Sequence, residues 1–252
     1  MKDRIDKILV EMGFAITRSR AKQLVLEGVV YYQGQKVLKP QRLVETDGIE
    51  VLKSDQYVSR GAHKIEGAIR AFNIDILDKI VADVGASTGG FTDYLLRNGA
   101  KFVYAIDVGK AQLAKELLND KRIKNIEGVN IKYPLQIDCL VDLCVVDLSY
   151  ISLRLVIKNI VNLAHDGSDI ILLVKPQFEA GKGNVPRDGV IKKDEQRINI
   201  IEELYDWLHM NNIFVKNAIR SPITGKNGNV EYFFYIKKDD LELFSREKLK
   251  EI

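Results

Sequence analysis

Apolar positions in the first 55 residues follow two helical patterns and then several short extended runs. Residues 3–12 place apolar side chains on one helical face, and Gly13 is predicted to end this helix. A second helix is predicted between a Thr17 cap and Gly28. Strands are predicted at 29–32, 36–38 and 49–51, the first two as a hairpin turned at Gln33-Gly34. These elements together predict a small α+β domain.

From residue 61 the pattern changes to an alternation of helical and extended segments. Helices are predicted at 61–72, 90–98, 110–118, 152–164 and 193–210. Strands are predicted at 80–84, 102–106, 123–126, 141–146, 169–174, 213–219 and 230–236. This alternation predicts an α/β fold, with a mostly parallel sheet between two layers of helices. The loop 221–229 is too short for a crossover helix, so the last two strands are predicted to be antiparallel, as in the methyltransferase variant of the doubly wound fold.

Composition and charge narrow the class of protein. Apolar residues make up 46% of the 252 residues, but the longest apolar run of the predicted sheet is about five residues, too short for a membrane span. A soluble, cytoplasmic protein is therefore expected. Cys144 lies inside an apolar run and is expected to be a buried thiol. Cys139 is the second cysteine of the chain, and two thiols are too few for a zinc site. The first 60 residues hold 11 Lys and Arg against 8 Asp and Glu, a surplus equal to the whole net charge of +3. Such a local surplus is a weak sign of nucleic-acid binding.

A glycine-rich loop follows the first strand of the alternating region. It runs Asp83-Val84-Gly85-Ala86-Ser87-Thr88-Gly89-Gly90-Phe91. Ser87 stands where the dinucleotide pattern requires glycine, which disfavours a nicotinamide cofactor. Asp107 ends the next strand, where a carboxylate can accept both hydroxyls of a ribose. The antiparallel tail and these two features favour S-adenosylmethionine, with Asp83 as a candidate partner for its amino group. Asn130 either borders the adenine or is an ordinary turn residue.

Polar residues also follow two other predicted strands. Asp147 comes after 141–146, and Lys175 comes after 170–174. Lys64 lies on the helix after residue 60, and Glu231 opens the last strand. A lysine beside a hydroxyl can lower the pKa of that hydroxyl or accept its proton, and a carboxylate can orient the lysine. Taken singly, each residue is more often part of a surface ion pair, and spacing alone leaves that alternative open.

Motifs spread over nearly the whole chain resemble those of one protein family. They are Tyr57-Val58-Ser59-Arg60-Gly61-Ala62-His63-Lys64, the loop 83–92, Asp107-Val108-Gly109, Asp147-Leu148-Ser149-Tyr150-Ile151-Ser152, Leu173-Val174-Lys175-Pro176-Gln177-Phe178-Glu179 and Gly228-Asn229-Val230-Glu231. As a set they resemble the TlyA, or hemolysin A, family of ribosomal RNA 2′-O-methyltransferases, whose catalytic domain is FtsJ-like. Tyr150 departs from the family pattern, in which phenylalanine is common. The linker also lacks the Arg and Trp of mycobacterial-type members.

The resemblance implies a domain organisation and a set of site residues. Residues 1–55 would be an RNA-binding domain of the type named after the fourth protein of the small ribosomal subunit, 56–60 a linker, and 61–252 a class I, Rossmann-like S-adenosylmethionine-dependent methyltransferase domain. The implied catalytic tetrad is Lys64, Asp147, Lys175 and Glu231. The predicted cofactor-binding residues are Asp83, Gly85, Ala86, Ser87, Thr88, Gly89, Gly90, Phe91, Asp107, Val108 and Asn130. The predicted RNA-binding residues are Arg4, Arg18, Arg20, Lys22 and Arg60.

The resemblance also implies a substrate, the 2′-hydroxyl of a cytidine ribose in ribosomal RNA, with S-adenosylhomocysteine as the second product. The chain starts close to its first helix and stops soon after its last strand, like short members that modify only 23S RNA, so the large subunit is favoured and 16S RNA is the alternative. A monomer without a metal ion is expected. Other possible functions are a non-catalytic RNA-binding assembly factor, a membrane-active haemolysin and a nicotinamide-dependent dehydrogenase.

Overall fold

A computed structural model describes residues 2–15, 18–26, 28–51, 57–181 and 183–252, without the side chains of Arg20, Gln23 and Lys226. The chain divides into two compact units, a smaller one at 1–56 and a larger one at 57–252. The predicted Thr17 cap lies outside the described residues, and so does the predicted border between residues 55 and 56. Among the described residues, no helix combines the length and the apolar character needed to cross a membrane.

In its described residues, the smaller unit is an α+β module with two helices and two small antiparallel sheets. Its elements are β1 Asp3–Arg4, α1 Ile5–Glu11, α2 Arg18–Leu26, β2 Val30–Tyr32, β3 Gln35–Lys36, β4 Leu43–Val44 and β5 Ile49–Val51. β2 lies between β3 and β5, and β1 pairs with β4. Gln33 and Gly34 both have positive φ, so they form the type of turn that suits a two-residue hairpin. The predicted start of the first helix at residue 3 is wrong, because Asp3 and Arg4 pair with β4, and a two-residue strand leaves no periodic signal.

The larger unit is a seven-stranded sheet with helices on both faces. Its strands are β6 Ile80–Val84, β7 Phe102–Asp107, β8 Ile123–Glu127, β9 Val141–Val146, β10 Ala164–Val174, β11 Asn217–Arg220 and β12 Tyr232–Lys237. Its helices are α3 Gly61–Phe72, α4 Gly90–Arg97, α5 Lys115–Leu118, α6 Ile157–Val161, α7 Pro176–Glu179 and α8 Asp194–Met210, with short 3-10 helices at Leu153–Leu155, Lys226–Gly228 and Arg246–Glu251.

The strand order is β11-β12-β10-β9-β6-β7-β8. Only β12 runs against its neighbours, β10 and β11, and the other pairings are parallel. The predicted α/β class and the antiparallel last pair are therefore confirmed. The chain passes from β6 to β7 and β8 on one side of β6, and then crosses back to β9 on the other side. The winding direction of the sheet therefore changes at β6, which is where doubly wound sheets place their ligand crevice.

Side chains alternate between two core layers along the central strands. In β10, Ile170 and Leu172 pack into the layer under α6 and α8, whereas Ile171 and Leu173 pack into the layer under α3 and α4. A strand buried on both faces reads as a continuous apolar run, which is why this strand was visible in the sequence. Cys144 of β9 is fully buried, as predicted.

The helix predicted at 110–118 is present only as α5, and hydrogen bonds to a distant carboxylate explain the difference. Glu127, at the end of β8, accepts hydrogen bonds from the backbone amides of Ala111 at 2.6 Å and Gln112 at 3.2 Å. Ala111 has a φ of 54°, which no helix allows. A carboxylate from another strand therefore binds amides that a helix would use, and the segment before α5 folds as a loop.

The segment predicted as one helix at 152–164 is also divided. It contains the 3-10 helix Leu153–Leu155 and α6, separated by Val156 with a φ of −125°. Its last residue already belongs to β10, which begins at Ala164 rather than at 169 and is irregular before Asp169.

Candidate active site at the carboxyl edge of the sheet

The carboxyl edge of the sheet, where the parallel strands end, carries the first predicted pair of site residues. Lys175 follows β10, and its Nζ lies 2.5 Å from Oδ1 of Asp147, which follows β9. The same Nζ donates a hydrogen bond to Ser149 Oγ at 2.9 Å. The Lys175 side chain is 8% exposed and that of Asp147 is 21% exposed. Because parallel neighbours end at the same edge, two residues 28 positions apart in sequence meet there.

The second predicted pair joins α3 to the start of β12. Lys64 Nζ lies 2.6 Å from Glu231 Oε2, and the two side chains are 12% and 3% exposed. Two glycines allow this close arrangement. A Cβ at Gly67, one turn along α3 from Lys64, would lie 2.6 Å from the ring of Pro222, and a Cβ at Gly225 would overlap the Glu231 carboxylate.

The strand register brings these two pairs to neighbouring strand ends. Val174 of β10 is paired with Tyr232 of β12 in an antiparallel ladder. Lys175 comes directly after the first of these residues, and Glu231 directly before the second. All four residues of the predicted tetrad therefore lie at one edge of the larger unit. Sequence reasoning gave no role to Ser149, Gly67 or Gly225, because their contacts depend on the packing of distant segments.

The glycine-rich loop approaches Asp147 closely. Gly85 has a φ of 92°, and a Cβ at this position would overlap the backbone carbonyl of Asp147. The Asp147 amide donates a hydrogen bond at 2.9 Å to the carbonyl of Val84, the last residue of β6. Only glycine fits a backbone that is both left-handed and this close to a neighbouring chain segment.

A cavity of about 430 Å³ opens between the glycine-rich loop and the segment after β9. Its lining includes five of the predicted cofactor-binding residues: Gly85, Ser87, Asp107, Val108 and Asn130. Asp147, Ser149 and Tyr150 line the opposite part of the same cavity. The candidate cofactor cavity and the Lys175–Asp147 pair therefore share a wall.

Among the described residues, Asp107 is one of the two acidic residues that line this cavity, together with Asp147. Its Oδ2 accepts a hydrogen bond from the Ser87 amide at 2.8 Å, and its Oδ1 accepts one from the Gly109 amide at 2.7 Å. Each carboxylate oxygen can accept a second hydrogen bond, so the group can still bind hydroxyls of a ligand. Asn130 Oδ1 accepts a turn hydrogen bond from the Lys132 amide at 3.0 Å, and the residue also lines the cavity, so its place beside the adenine stays a prediction.

The other predicted cofactor-binding residues do not line this cavity. They are Asp83, Ala86, Thr88, Gly89, Gly90 and Phe91. Gly89 and Gly90 permit packing instead, because a Cβ would overlap Leu117 at the first position and Ser59 at the second. Phe91 is buried in the core layer under α3.

Asp83 is fully buried at the end of β6. Its Oδ2 accepts a hydrogen bond from the Thr92 hydroxyl at 2.7 Å, while its Oδ1 has no hydrogen-bond partner within the described ranges. Burial raises the pKa of this carboxyl to about 7. Asp83 therefore lies behind the cavity rather than on its surface.

Tyr150 is a prominent side chain that sequence reasoning noted only as a departure from a motif. It is 84% exposed, has a φ of 64° and lines the cavity. Its ring centroid lies 5.1 Å from that of Phe178, three residues after Lys175. An exposed aromatic residue in a left-handed conformation is uncommon enough to suggest a functional surface.

The predicted RNA-binding residues have different surroundings. Arg4 Nε lies 3.0 Å and Arg18 Nη2 lies 3.3 Å from the carboxylate of Asp6, a fully buried residue. Lys22 on α2 and Arg60 before α3 are exposed. The side chain of Arg20 lies outside the described residues. Within the part of the chain that the structure describes, no group of three or more His, Cys, Asp or Glu could hold a metal ion.

Two family models match the chain, one in each unit. Residues 57–238 match the FtsJ-like methyltransferase family, and residues 3–48 match the S4 domain. The first match covers more than half of the chain and includes all four residues of the predicted tetrad.

Named relatives are similar over nearly the whole length. The chain is 40% identical to the 16S/23S rRNA (cytidine-2′-O)-methyltransferase TlyA of Mycobacterium tuberculosis, over 98% of this chain and 94% of that protein. It is 38% identical to the 23S rRNA (cytidine-2′-O)-methyltransferase TlyA of Campylobacter jejuni, over 80% and 79% respectively. It is also 39% identical to Hemolysin A of Brachyspira hyodysenteriae, over 91% and 97%.

A solved structure extends the similarity to three dimensions. A candidate hemolysin from Streptococcus thermophilus superposes with a TM-score of 0.77 at 34% identity, over 100% of this chain and 94% of that one. Family match, relatives and fold agree on one assignment: the chain belongs to the TlyA (hemolysin A) family and combines an S4 domain with an FtsJ-like methyltransferase domain.

Proposed function

We propose that this protein transfers a methyl group from S-adenosylmethionine to the 2′-hydroxyl of a cytidine ribose in ribosomal RNA. One observation carries the proposal: Asp147 binds Lys175 at 2.5 Å and also lines the cavity that contains Asp107. A group able to activate a hydroxyl therefore adjoins a cavity suited to a nucleoside-type cofactor.

The cavity residues fit S-adenosylmethionine, which supplies an electrophilic methyl group on a sulfonium when it is bound. Asp107 would hold the ribose hydroxyls through the hydrogen-bonding capacity that its two amide contacts leave. Gly85 lines the cavity, and its missing Cβ lets the loop pack closely against the backbone of Asp147 in the neighbouring wall. Asn130 would border the base, and Val108 adds an exposed apolar surface on the same side.

Lys175 would activate the nucleophile. Its ammonium group has three N–H donors, of which two point to Asp147 and Ser149. The third can donate to the ribose oxygen, where the positive charge would lower the pKa of the hydroxyl and stabilise the developing oxyanion. The hydroxyl proton would pass to water, because an ammonium group cannot accept it. Asp147 would fix the lysine's direction, and Lys64 with Glu231 would complete the polar surroundings of the nucleophile.

The S4 match supports RNA as the substrate class. The residues expected to bind RNA in the smaller unit are Arg4, Arg18, Arg20 and Lys22, with Arg60 in the larger unit. Asp6 contacts two of these arginines and would limit their freedom, so that less conformational entropy is lost when they meet a phosphate. Contacts with phosphates would make binding strongly dependent on salt.

The names of two relatives favour the large ribosomal subunit. The Mycobacterium protein is named for both 16S and 23S RNA, and the Campylobacter protein for 23S RNA alone. Because 23S RNA is common to both names, we propose the large subunit as the target.

Transfer of a tritiated methyl group would test the proposal directly. Large subunits, small subunits and free RNAs lacking the modification would be incubated with the protein and labelled S-adenosylmethionine, and the labelled nucleoside would be identified. Label in 2′-O-methylcytidine from large subunits is the expected result. Label from both subunits would contradict the subunit preference, and RNA binding without any label would favour an assembly factor.

The RNA-binding surface needs its own experiment. Neutralising Arg18, Arg20 and Lys22 together should weaken RNA binding by at least tenfold at moderate salt and reduce the slope of affinity against salt. The control makes the same charge change at three exposed lysines of the larger unit, Lys101, Lys121 and Lys158. Equal effects of the two triple variants would show that only the overall charge matters and would contradict the assignment.

A further inference from the structure

Glu179 is a buried carboxylate with an unusual number of donors. It is the last residue of α7 and is 5% exposed. Its oxygens accept hydrogen bonds from Ser152 Oγ at 2.6 Å, from the Leu153 amide at 2.8 Å and from Arg154 Nη1 at 3.2 Å. Arg154 Nη1 also donates to the backbone carbonyl of Glu179 at 3.1 Å. The whole network joins α7 to a single segment, 152–154.

That segment directly continues the wall of the cavity. Residues 147–151 all line the cavity, and they include both residues that contact Lys175. Tyr150 in this wall has a left-handed backbone and a mostly exposed ring, so little packing of its own holds it. A strained and exposed segment keeps one conformation only when its surroundings determine it.

The two segments are connected at three levels. At the inner end Lys175 binds Asp147 and Ser149, and in the middle the ring of Tyr150 contacts that of Phe178. At the outer end Glu179 binds the segment 152–154. α7 is a single turn that begins directly after Lys175, so the inner and outer connections are only four residues apart in sequence. Fixing the outer end therefore restricts the geometry at the inner end.

A carboxylate is a costly way to join two segments if stability alone is required. Burial opposes its charged form and raises its pKa, although the three donors act against this effect. Well-packed apolar side chains often stabilise as well as buried ion pairs do, whereas hydrogen-bonded charges fix a particular geometry.

We propose that Glu179 is a positioning residue for methyl transfer, which holds the wall 147–151 against α7 so that the Lys175–Asp147 pair and the cofactor cavity keep one shared geometry. The inference rests on the proposed function. Loss of the carboxylate charge should therefore lower both cofactor affinity and turnover, although the Glu179 side chain neither lines the cavity nor contacts the Lys175 ammonium group.

The experiment compares Glu179→Gln with Glu202→Gln, a substitution of a buried glutamate on α8 that pairs with Arg246 instead. We would measure kcat, KM for each substrate, the Kd of S-adenosylhomocysteine and the urea midpoint. Glu179→Gln should lower kcat by about tenfold or more and weaken S-adenosylhomocysteine binding several-fold, because a small displacement of reacting groups is costly. Glu202→Gln should lower the urea midpoint by a comparable amount but leave kcat and the Kd of S-adenosylhomocysteine unchanged.

Equal loss of stability in the two variants, with wild-type turnover and wild-type S-adenosylhomocysteine affinity for Glu179→Gln, would overturn the proposal. If Glu179→Gln does not fold, Ser152→Ala removes one donor and should still lower kcat about threefold; unchanged kcat and affinity in this variant would contradict the role. The affinity measurement needs no RNA, so it tests the positioning role even if no ribosomal substrate accepts a methyl group.

Discussion

Two lysine–carboxylate pairs lie at the same edge of the same sheet, but their surroundings differ. Asp147 keeps 21% of its side chain exposed and lines the cavity, whereas Glu231 is 3% exposed and is covered by Gly225. Lys175 has a second acceptor in Ser149, and Lys64 lies on a helix fixed by the close approach of Gly67 to Pro222.

These different surroundings indicate different roles for the two pairs, although each pair consists of a lysine and a carboxylate. The Lys175–Asp147 pair borders open space and can meet a substrate. The Lys64–Glu231 pair is nearly closed and depends on exact packing, so its removal should affect the fold as well as the chemistry. Substitutions in the first pair should therefore reduce activity with little loss of stability, whereas those in the second should reduce both.

The largest expected effect is the loss of activity in Lys175→Ala. Methyl transfer should fall by about 10³-fold or more, because the group proposed to activate the nucleophile is removed. The Kd of S-adenosylhomocysteine should change far less than turnover, by several-fold at most, since Lys175 does not line the cavity and reaches it only through its contacts with Asp147 and Ser149. Single-turnover transfer and calorimetric titration would measure the two quantities. Lys101→Ala, at an exposed lysine before β7, is the control, and retained turnover in Lys175→Ala would disprove its assignment.

A smaller effect, on stability, is expected for the second pair. Lys64→Ala leaves the Glu231 carboxylate buried without its cation, which should lower the free energy of unfolding by about 3 kcal/mol. The double substitution Lys64→Met with Glu231→Gln removes both charges and should recover most of that loss without recovering activity. Urea unfolding would measure the stability of each variant. A loss of stability in Lys175→Ala as large as that in Lys64→Ala would remove the distinction between the pairs.

The smallest expected effect is on the pH dependence of stability, because the pKa of Asp83 responds to the charge of Asp147 in the first pair. Burial, and to a lesser extent the charge of Asp147, raises the pKa of Asp83 to about 7, well above its value in an unfolded chain. Between about pH 4 and pH 7 the folded protein therefore holds a proton that the unfolded chain has lost, so this group makes stability fall as pH rises through that range and level off above it.

Asp83→Asn should remove this part of the pH dependence of unfolding. Asp147→Asn should shift the upper end of the range to lower pH, and Glu231→Gln should leave it in place. Urea unfolding at a series of pH values would measure the shift, with Asp83→Asn as the baseline. The same shift in Asp147→Asn and Glu231→Gln would indicate that the two carboxylates do not differ in their influence on Asp83.

Some segments of the larger unit could be predicted from the sequence and others could not. β6, β9 and the core of β10 were predictable because buried parallel strands are continuous apolar runs. The segment 110–114 was not, because Glu127 captures its backbone amides from another strand. The cavity lining shows the same difference: Asp107 ends a strand that was predicted from its apolar run, whereas Gly89 and Gly90 belong to the glycine-rich motif but do not line the cavity, and a Cβ at either would overlap a packed neighbour.

The sequence by itself determined the α/β class, the strand that runs antiparallel and the positions of the four polar residues, three next to strand ends and Lys64 on a helix. These features depend on local periodicity and on the rule that parallel strands end at one edge. Only the tertiary structure decided that Lys175 meets Asp147 beside an open cavity, that Lys64 and Glu231 are closed in by glycines, and that Glu179 joins α7 to the cavity wall. Those contacts join residues up to 167 positions apart, and their distances depend on how whole layers pack rather than on any local preference.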